Sequence, residues 1–251
     1  MIAIGVFVAT RWELSAVRQA FATTETQAVG GIRCVVARQG QIDWWIIPMG
    51  VGPERAGATA KQVLAERQFA AMWSTGFACA LGPAGIGEVL IGTSVMMEGG
   101  RETGRHVLCA PAMVEWVQRV VQAKEFSAQT GGFVTVPRIL CRADEKHEVA
   151  VRAGGIGLDM ESAALGLVAS EHRIPFAIVR TVSDLVDESL PLDFNLFLRP
   201  SGWAKGMAMC LAHPMSLIGL NRLRVQSRVA GAQLTALYRA CADQSMREGV
   251  S

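Results

Sequence analysis

A single tyrosine occurs in 251 residues, and aromatic residues make up 6% of the chain. Few stretches interleave aromatic and basic residues, and the net charge is only +2, so the electrostatic footprint of a nucleic-acid binder is missing. His106, His147, His172 and His213 are scattered, without the spacing that holds a metal. The six cysteines never form a CxxC pair, and each lies among apolar neighbours or near an element end. With no secretory segment, they read as reduced thiols of a cytoplasmic protein. The opening "MIAIGVFVAT" lacks a basic n-region and is too short to span a bilayer, and no apolar run of about 18 residues occurs. Internal repeats, low-complexity tracts and obvious linkers are absent before residue 200.

What the chain does have is apolar bulk. At 51% hydrophobic and a mean hydropathy of +0.29, it can build one substantial core within a single α/β domain. "IAIGVFVA" (2–9) is a continuous apolar run of the kind buried on both sheet faces, followed by the amphipathic "RWELSAVRQAF". "IRCVVAR" and "WWIIPM" read as a strand pair, and "PERAGATAKQVLAE" places Pro53 in a first helical turn. "FAAMWST" leads into a glycine-rich turn, "GFACALGPAGIGEVLIG" (76–92). Then come strand "TSVMM", a helix near 111–124, strand "GGFVTVP", a short strand at 156–158, a helix over 160–172, and strand "PFAIVRTVSD" (175–184). This alternation predicts a mostly parallel, twisted sheet with helices on both faces, and ligands in such sheets sit beyond the carboxyl ends of the strands.

Three acids stand at those ends. Glu13 follows the first strand, Glu161 the short strand at 156–158, and Asp184 the strand at 176–182. Each has a purely local explanation. Glu13 completes a Thr-x-x-Glu capping box with Thr10, Asp184 and Asp159 can cap the segments after them, and Glu161 suits a helix N-terminus. Three on one rim, however, point to chemistry, because charge beside a core is costly unless paired or used.

The blocks "IGVFVATRWEL", "GVGPERAGATA", "STGFACALGPAGIGEVLIG" and "GLDMESAALGLVASEHRIPFAIVRTVSDLVDE" resemble the purine nucleoside phosphorylase and methylthioadenosine/S-adenosylhomocysteine nucleosidase superfamily over residues 2 to about 198. The Met-Glu-Ser and Arg-x-x-Ser-Asp blocks are its most specific parts. Within it, "GLDMES", "LPLDFNLFLRPSGW" and the arginine-rich tail resemble the hopanoid-associated phosphorylases, the proposed adenosylhopane nucleosidases. The resemblance implies an α/β, single-domain three-layer αβα nucleoside phosphorylase-like fold. Its central sheet would be twisted and mixed, with helices on both faces, in a catalytic unit of residues 1–212. It also implies an enzyme without a cofactor, acting on an adenine nucleoside, and a homo-oligomer such as a dimer.

Site roles follow by the same resemblance. Breaking a purine–ribose bond builds positive charge on the sugar and negative charge on the leaving base. Asp184, beside the substrate-binding Ser183, would carry a proton to purine N7 as a general acid. Glu161 would accept from the ribose hydroxyls and steady the cationic sugar, with Met160 as an adaptable apolar wall. Phe77 and Ala78 would touch the substrate, and backbone groups of Ile139 and Leu140 would read the adenine edge. Arg180 would hold a carboxylate from behind. Glu13 matches the acid that activates water in the nucleosidases.

The phosphorylases instead use inorganic phosphate as co-substrate, gripped by an arginine before the glycine-rich stretch. Here that place reads "MWSTGF", with no arginine, which favours hydrolysis. "GFACA" departs from the usual Gly-Ser-Ala-Gly-Gly, and the segment between Met97 and Val114 is short. A short segment would leave the 5′ side open to a bulky apolar group.

Residues 213–251 read as a basic amphipathic helical extension. Arg222, Arg224, Arg228 and Arg239 occur over 214–239 without an acid. Such a stretch either packs on the domain or lies on an anionic membrane surface, a peripheral contact that would suit a lipid-linked substrate. The competing readings are a small substrate, methylthioadenosine or adenosylhomocysteine, and a binding module without catalysis.

Overall fold

Strand β1 (Ile2–Val8) takes the place its sequence demands, sandwiched between parallel neighbours β4 (Ile42–Pro48) and β5 (Ala71–Ala80). The computed structural model describes residues 1–98, 106–195 and 215–248. Beyond β4, strands β3 (Ile32–Gln39) and β2 (Glu25–Val29) add an antiparallel edge. On the other side of β5 the sheet closes on itself. β5 pairs with β10 (Phe176–Asp184), β10 with β6 (Val89–Met97), β6 with β8 (Ala128–Thr135), β8 with β9 (Gly157–Asp159), and β9 with β5 again. A short β7 (His106–Leu108) flanks β6.

Five of these strand pairings are parallel and five antiparallel, so the sheet is evenly mixed rather than mostly parallel. The antiparallel pairs come from the edge hairpins and from β9 and β10, whose directions are set by closing the ring. Residues 76–80, expected as a turn, continue β5, because they pair with both β10 and β9. The strand ends at Ala80, and the chain bends from Leu81 onward.

Helices α1 (Arg11–Arg18), α2 (Pro53–Leu64), α3 (Pro111–Ala123), α4 (Ala143–Ala153), α5 (Ser162–Glu171) and α6 (Met215–Glu248) cover both faces. Strand alternation shows this directly. Arg180 reaches Ser162 of α5, whereas its neighbour Thr181 donates to the Ala230 carbonyl of α6 at 3.0 Å. Likewise Ser74 bonds Ser162, while Trp73 packs against Tyr238 of α6. The capping box at Thr10 and the proline opening α2 are both present.

The second half of α6 is core. Leu234, Leu237, Tyr238 and Cys241 are fully buried, with Tyr238 edge-on to Trp44. Its first half is amphipathic in another sense, since Val225 and Val229 stay exposed beside Arg224 and Arg228. The division at residues 212–213 lies outside the described residues, as does Cys210. The other five cysteines are free. Among the described residues, no helix is long and apolar enough to cross a membrane.

Candidate active site

At the carboxyl ends of β1, β5, β9 and β10 lies a cavity of about 340 Å³. Its walls include Glu13, Phe77, Ala78, Ile139, Leu140, Met160, Glu161, Ser183 and Asp184, so nine residues singled out from the sequence meet at one place. Three larger cavities, of about 350, 440 and 680 Å³, have no carboxylate among the described residues of their walls.

Glu13 is buried by the geometry that caps α1. Its Oε2 accepts from the backbone of Ala9 and Thr10 and from the Thr10 hydroxyl, and its Oε1 accepts from the Phe77 amide at 2.8 Å. Capping and site membership are therefore one arrangement. Gly76 makes room for it: at φ +138° its backbone is one that side chains avoid, and a Cβ would lie 2.1 Å from Glu13 Oε1.

Glu161 sits where β9 gives way to α5. Its Oε1 accepts from the Gly52 amide at 3.0 Å, across the turn that opens α2, and its Oε2 lies 3.4 Å from Arg180 Nη2. Burial pushes this carboxyl up to about 7, with the Arg180 charge opposing. Asp159 does more than cap. It accepts from the amides of Glu161 and Ser162 and from the hydroxyls of Thr135 and Ser162, which fixes the start of α5. It also lies 2.9 Å from Arg180 Nε, off the N–H direction, as an ionic contact. Arg180, fully buried, completes its set with Ser74 Oγ and the Phe77 carbonyl. The carboxylates it holds are Asp159 and Glu161.

Asp184 has a different partner. A register shift between β10 and β5 falls at Val182–Asp184. Simple alternation would turn adjacent side chains to opposite faces, yet Ser183 and Asp184 both line the cavity. Asp184 Oδ2 accepts from Lys146 Nζ at 2.6 Å, while its buried Oδ1 has no partner. Burial raises the Asp184 carboxyl above its ordinary value, and Lys146 pulls against that rise.

Ile139's amide and carbonyl are both taken by the Asn195 side chain, each at 2.9 Å, so its backbone is not open to a base; of the pair, Leu140 remains for that role. Sequence reasoning missed Lys146, and no local signal marked it, since "ADEKHEVAVRA" reads as a solvated helix. It also missed the apolar wall from Leu190, Phe194 and Leu223, the last contributed by α6. Arg138 is the only cation lining the cavity among the described residues, and it is engaged by Glu145 at 2.8 Å. Among the described residues, no cluster of histidine, cysteine and acidic side chains could hold a metal.

A family model described as "Phosphorylase superfamily" matches residues 3–200. A 5′-methylthioadenosine/S-adenosylhomocysteine nucleosidase of Shewanella baltica is 22% identical over 223 residues, covering 83% of this chain and 94% of that protein. Among solved structures, the futalosine hydrolase of Helicobacter pylori superposes with a TM-score of 0.76 at 11% identity, covering 97% of this chain and 98% of the other. The 5′-methylthioadenosine/S-adenosylhomocysteine nucleosidase of Neisseria meningitidis, in complex with methylthio-immucillin-A, gives 0.71 at 16% identity, covering 95% and 98%.

Proposed function

Because this chain belongs to the phosphorylase superfamily, we propose that it hydrolyses the N-glycosidic bond of an adenine nucleoside bearing a bulky apolar 5′ group, adenosylhopane being the candidate. The observation that carries the reading is that Asp184 and Glu161 line one cavity, and that burial raises both carboxyls above their ordinary values. The Asp184 carboxyl stands in the cavity wall, where an incoming purine nitrogen would meet it. Glu161 supplies negative charge for the sugar as it becomes cationic, in a site where little water screens it. Met160 packs as the sugar's apolar wall, and Leu140 offers its backbone to the base.

Water as nucleophile is supported by Glu13, whose Oε1 accepts one hydrogen bond and keeps a lone pair for a water proton. Among the described residues the one cation in the cavity wall, Arg138, is paired with Glu145, and Arg180 is committed to Asp159, Ser74 and Phe77, which weighs against a phosphate clamp. The apolar 5′ preference is supported by Leu190, Phe194 and Leu223 in the cavity wall. A lipid-linked substrate would be met at a membrane surface, for which Arg224, Arg228, Val225 and Val229 on exposed α6 are the candidate contact.

A second reading, a small substrate such as methylthioadenosine, is favoured by the Shewanella relative. The test is incubation with adenosylhopane and with methylthioadenosine, with and without phosphate, followed by identification of adenine and the sugar product. Free ribosyl product from adenosylhopane, independent of phosphate, is expected. Turnover of methylthioadenosine alone would overturn the 5′ assignment, and a ribosyl phosphate product would overturn hydrolysis.

A further inference from the structure

Lys146 is fully buried in α4, while the acids just before it, Asp144 and Glu145, form ion pairs with Arg142 and Arg138. An ammonium withdrawn from water is costly unless its hydrogens are met. All three are. Nζ donates to Asp184 Oδ2 at 2.6 Å, to the Leu185 carbonyl at 3.1 Å and to the Glu188 carbonyl at 2.6 Å. The two carbonyls belong to the turn that follows β10, so one side chain pins both Asp184 and the backbone that carries it. Left to itself, a carboxyl rotates broadly about its last torsion and would present either oxygen to a ligand. Here Oδ2 is gripped and Oδ1 is buried, with the Cys79 thiol also bearing on the carboxyl, so the group is held in one orientation.

We propose that Lys146 is a positioning residue for Asp184: by holding Oδ2 and the turn behind it, it fixes the carboxyl in the cavity wall for the leaving purine and supplies the counter-charge that steadies Asp184 once its proton has gone. The inference rests on Asp184 acting as the acid. In the step itself, the Asp184 O–H bond breaks as the purine N7–H bond forms. The glycosidic electron pair goes to the purine, water oxygen bonds to the sugar carbon, and Glu13 takes the water proton. The reaction leaves Asp184 as a carboxylate beside the Lys146 ammonium, an arrangement the dry surroundings strengthen.

Three groups bear on Asp184 from the elements around it. These are Lys146 from α4, Cys79 from β5, and Glu188, which Gln226 and Arg222 of α6 hold at 2.8 and 3.6 Å. Of these, the Lys146 charge is the largest influence lowering the Asp184 carboxyl. Removing it raises the pH at which Asp184 loses its proton, so the alkaline limb of the rate moves upward.

The experiment compares Lys146→Met, Lys146→Arg and Asp184→Asn in the full chain, with adenosylhopane and methylthioadenosine as substrates. Lys146→Met should lower kcat by about 100-fold or more, leave KM within about threefold, and shift the alkaline limb up by about one pH unit or more. Lys146→Arg keeps the charge but displaces the grip, so kcat falls while the limb stays. Unchanged kcat and limb in Lys146→Met overturn the inference. If that variant does not fold, unchanged kcat in Lys146→Arg overturns it alone. An active Asp184→Asn instead overturns the reading beneath it, and the two failures are thereby told apart.

Discussion

Buried carboxylates at the cavity are held by unlike partners, and the difference fits unlike tasks. Glu161 shares Arg180 with Asp159, and burial still pushes it up to about 7. If its charge steadies a cationic sugar as proposed, activity should fall as the pH drops through about 7 and Glu161 takes up a proton. Replacing it with glutamine should lower kcat/KM by about 100-fold or more, the scale of one lost electrostatic contact to a transition state. Stability should respond in the opposite sense. A raised carboxyl contributes stability that is fully present below its ordinary value and is lost as pH rises through about 7. Glutamine cannot ionise, so the Tm of Glu161→Gln relative to the parent should increase between pH 5 and pH 8. A difference that stays flat or falls over that range would show that burial does not disfavour the anion.

Two elements carry local departures from ideal geometry, and both serve the site. In β5, Gly76 gives up a side chain so that Glu13 can reach the Phe77 amide. Gly76→Ala should therefore destabilise the fold by about 1–3 kcal/mol from backbone strain alone. The clash with Glu13 should reduce turnover further, read by urea unfolding beside an adenine-release assay. In β10, the register shift after Val182 lets Ser183 and Asp184 both face the cavity. Alternation read from "TVSD" could not have announced it, because a bulge is a property of the strand pair. The capping box of α1 and the proline of α2 were legible, since both depend on residues within one turn of each other.

For the molecule as a whole, the tail is the part whose role changes most once packing is known. Read alone, residues 213–251 are a basic amphipathic extension that either packs on the domain or lies on a membrane surface. Folded, α6 buries Leu234, Leu237 and Tyr238 against the sheet, and lends Leu223 to the cavity wall. Arg222 is not simply solvated either, since it lies 3.6 Å from Glu188 and donates to the Ser189 carbonyl. Leu237→Ala should cost about 2–5 kcal/mol, as for other fully buried leucines. Denaturant unfolding measures it, and a loss under about 0.5 kcal/mol, the surface-substitution range, would show that the helix end is not core.

The amino-acid sequence alone determined the α/β alternation, the positions of Glu13, Glu161 and Asp184 at strand ends, and the absence of metal-ligand spacing. These are short-range facts: an apolar run records burial of its own segment, and a cap joins residues three apart. Only the tertiary structure decided that the strands close into a ring with as many antiparallel as parallel pairs, that Arg180 serves Asp159 and Glu161, and that Lys146 reaches Asp184 across 38 positions. A lysine among acids on a helix looks like a solvated face. What buries it is the β10 turn folding over it, and such a contact depends on packing between segments distant in the chain, about which neither segment carries a local periodic signal.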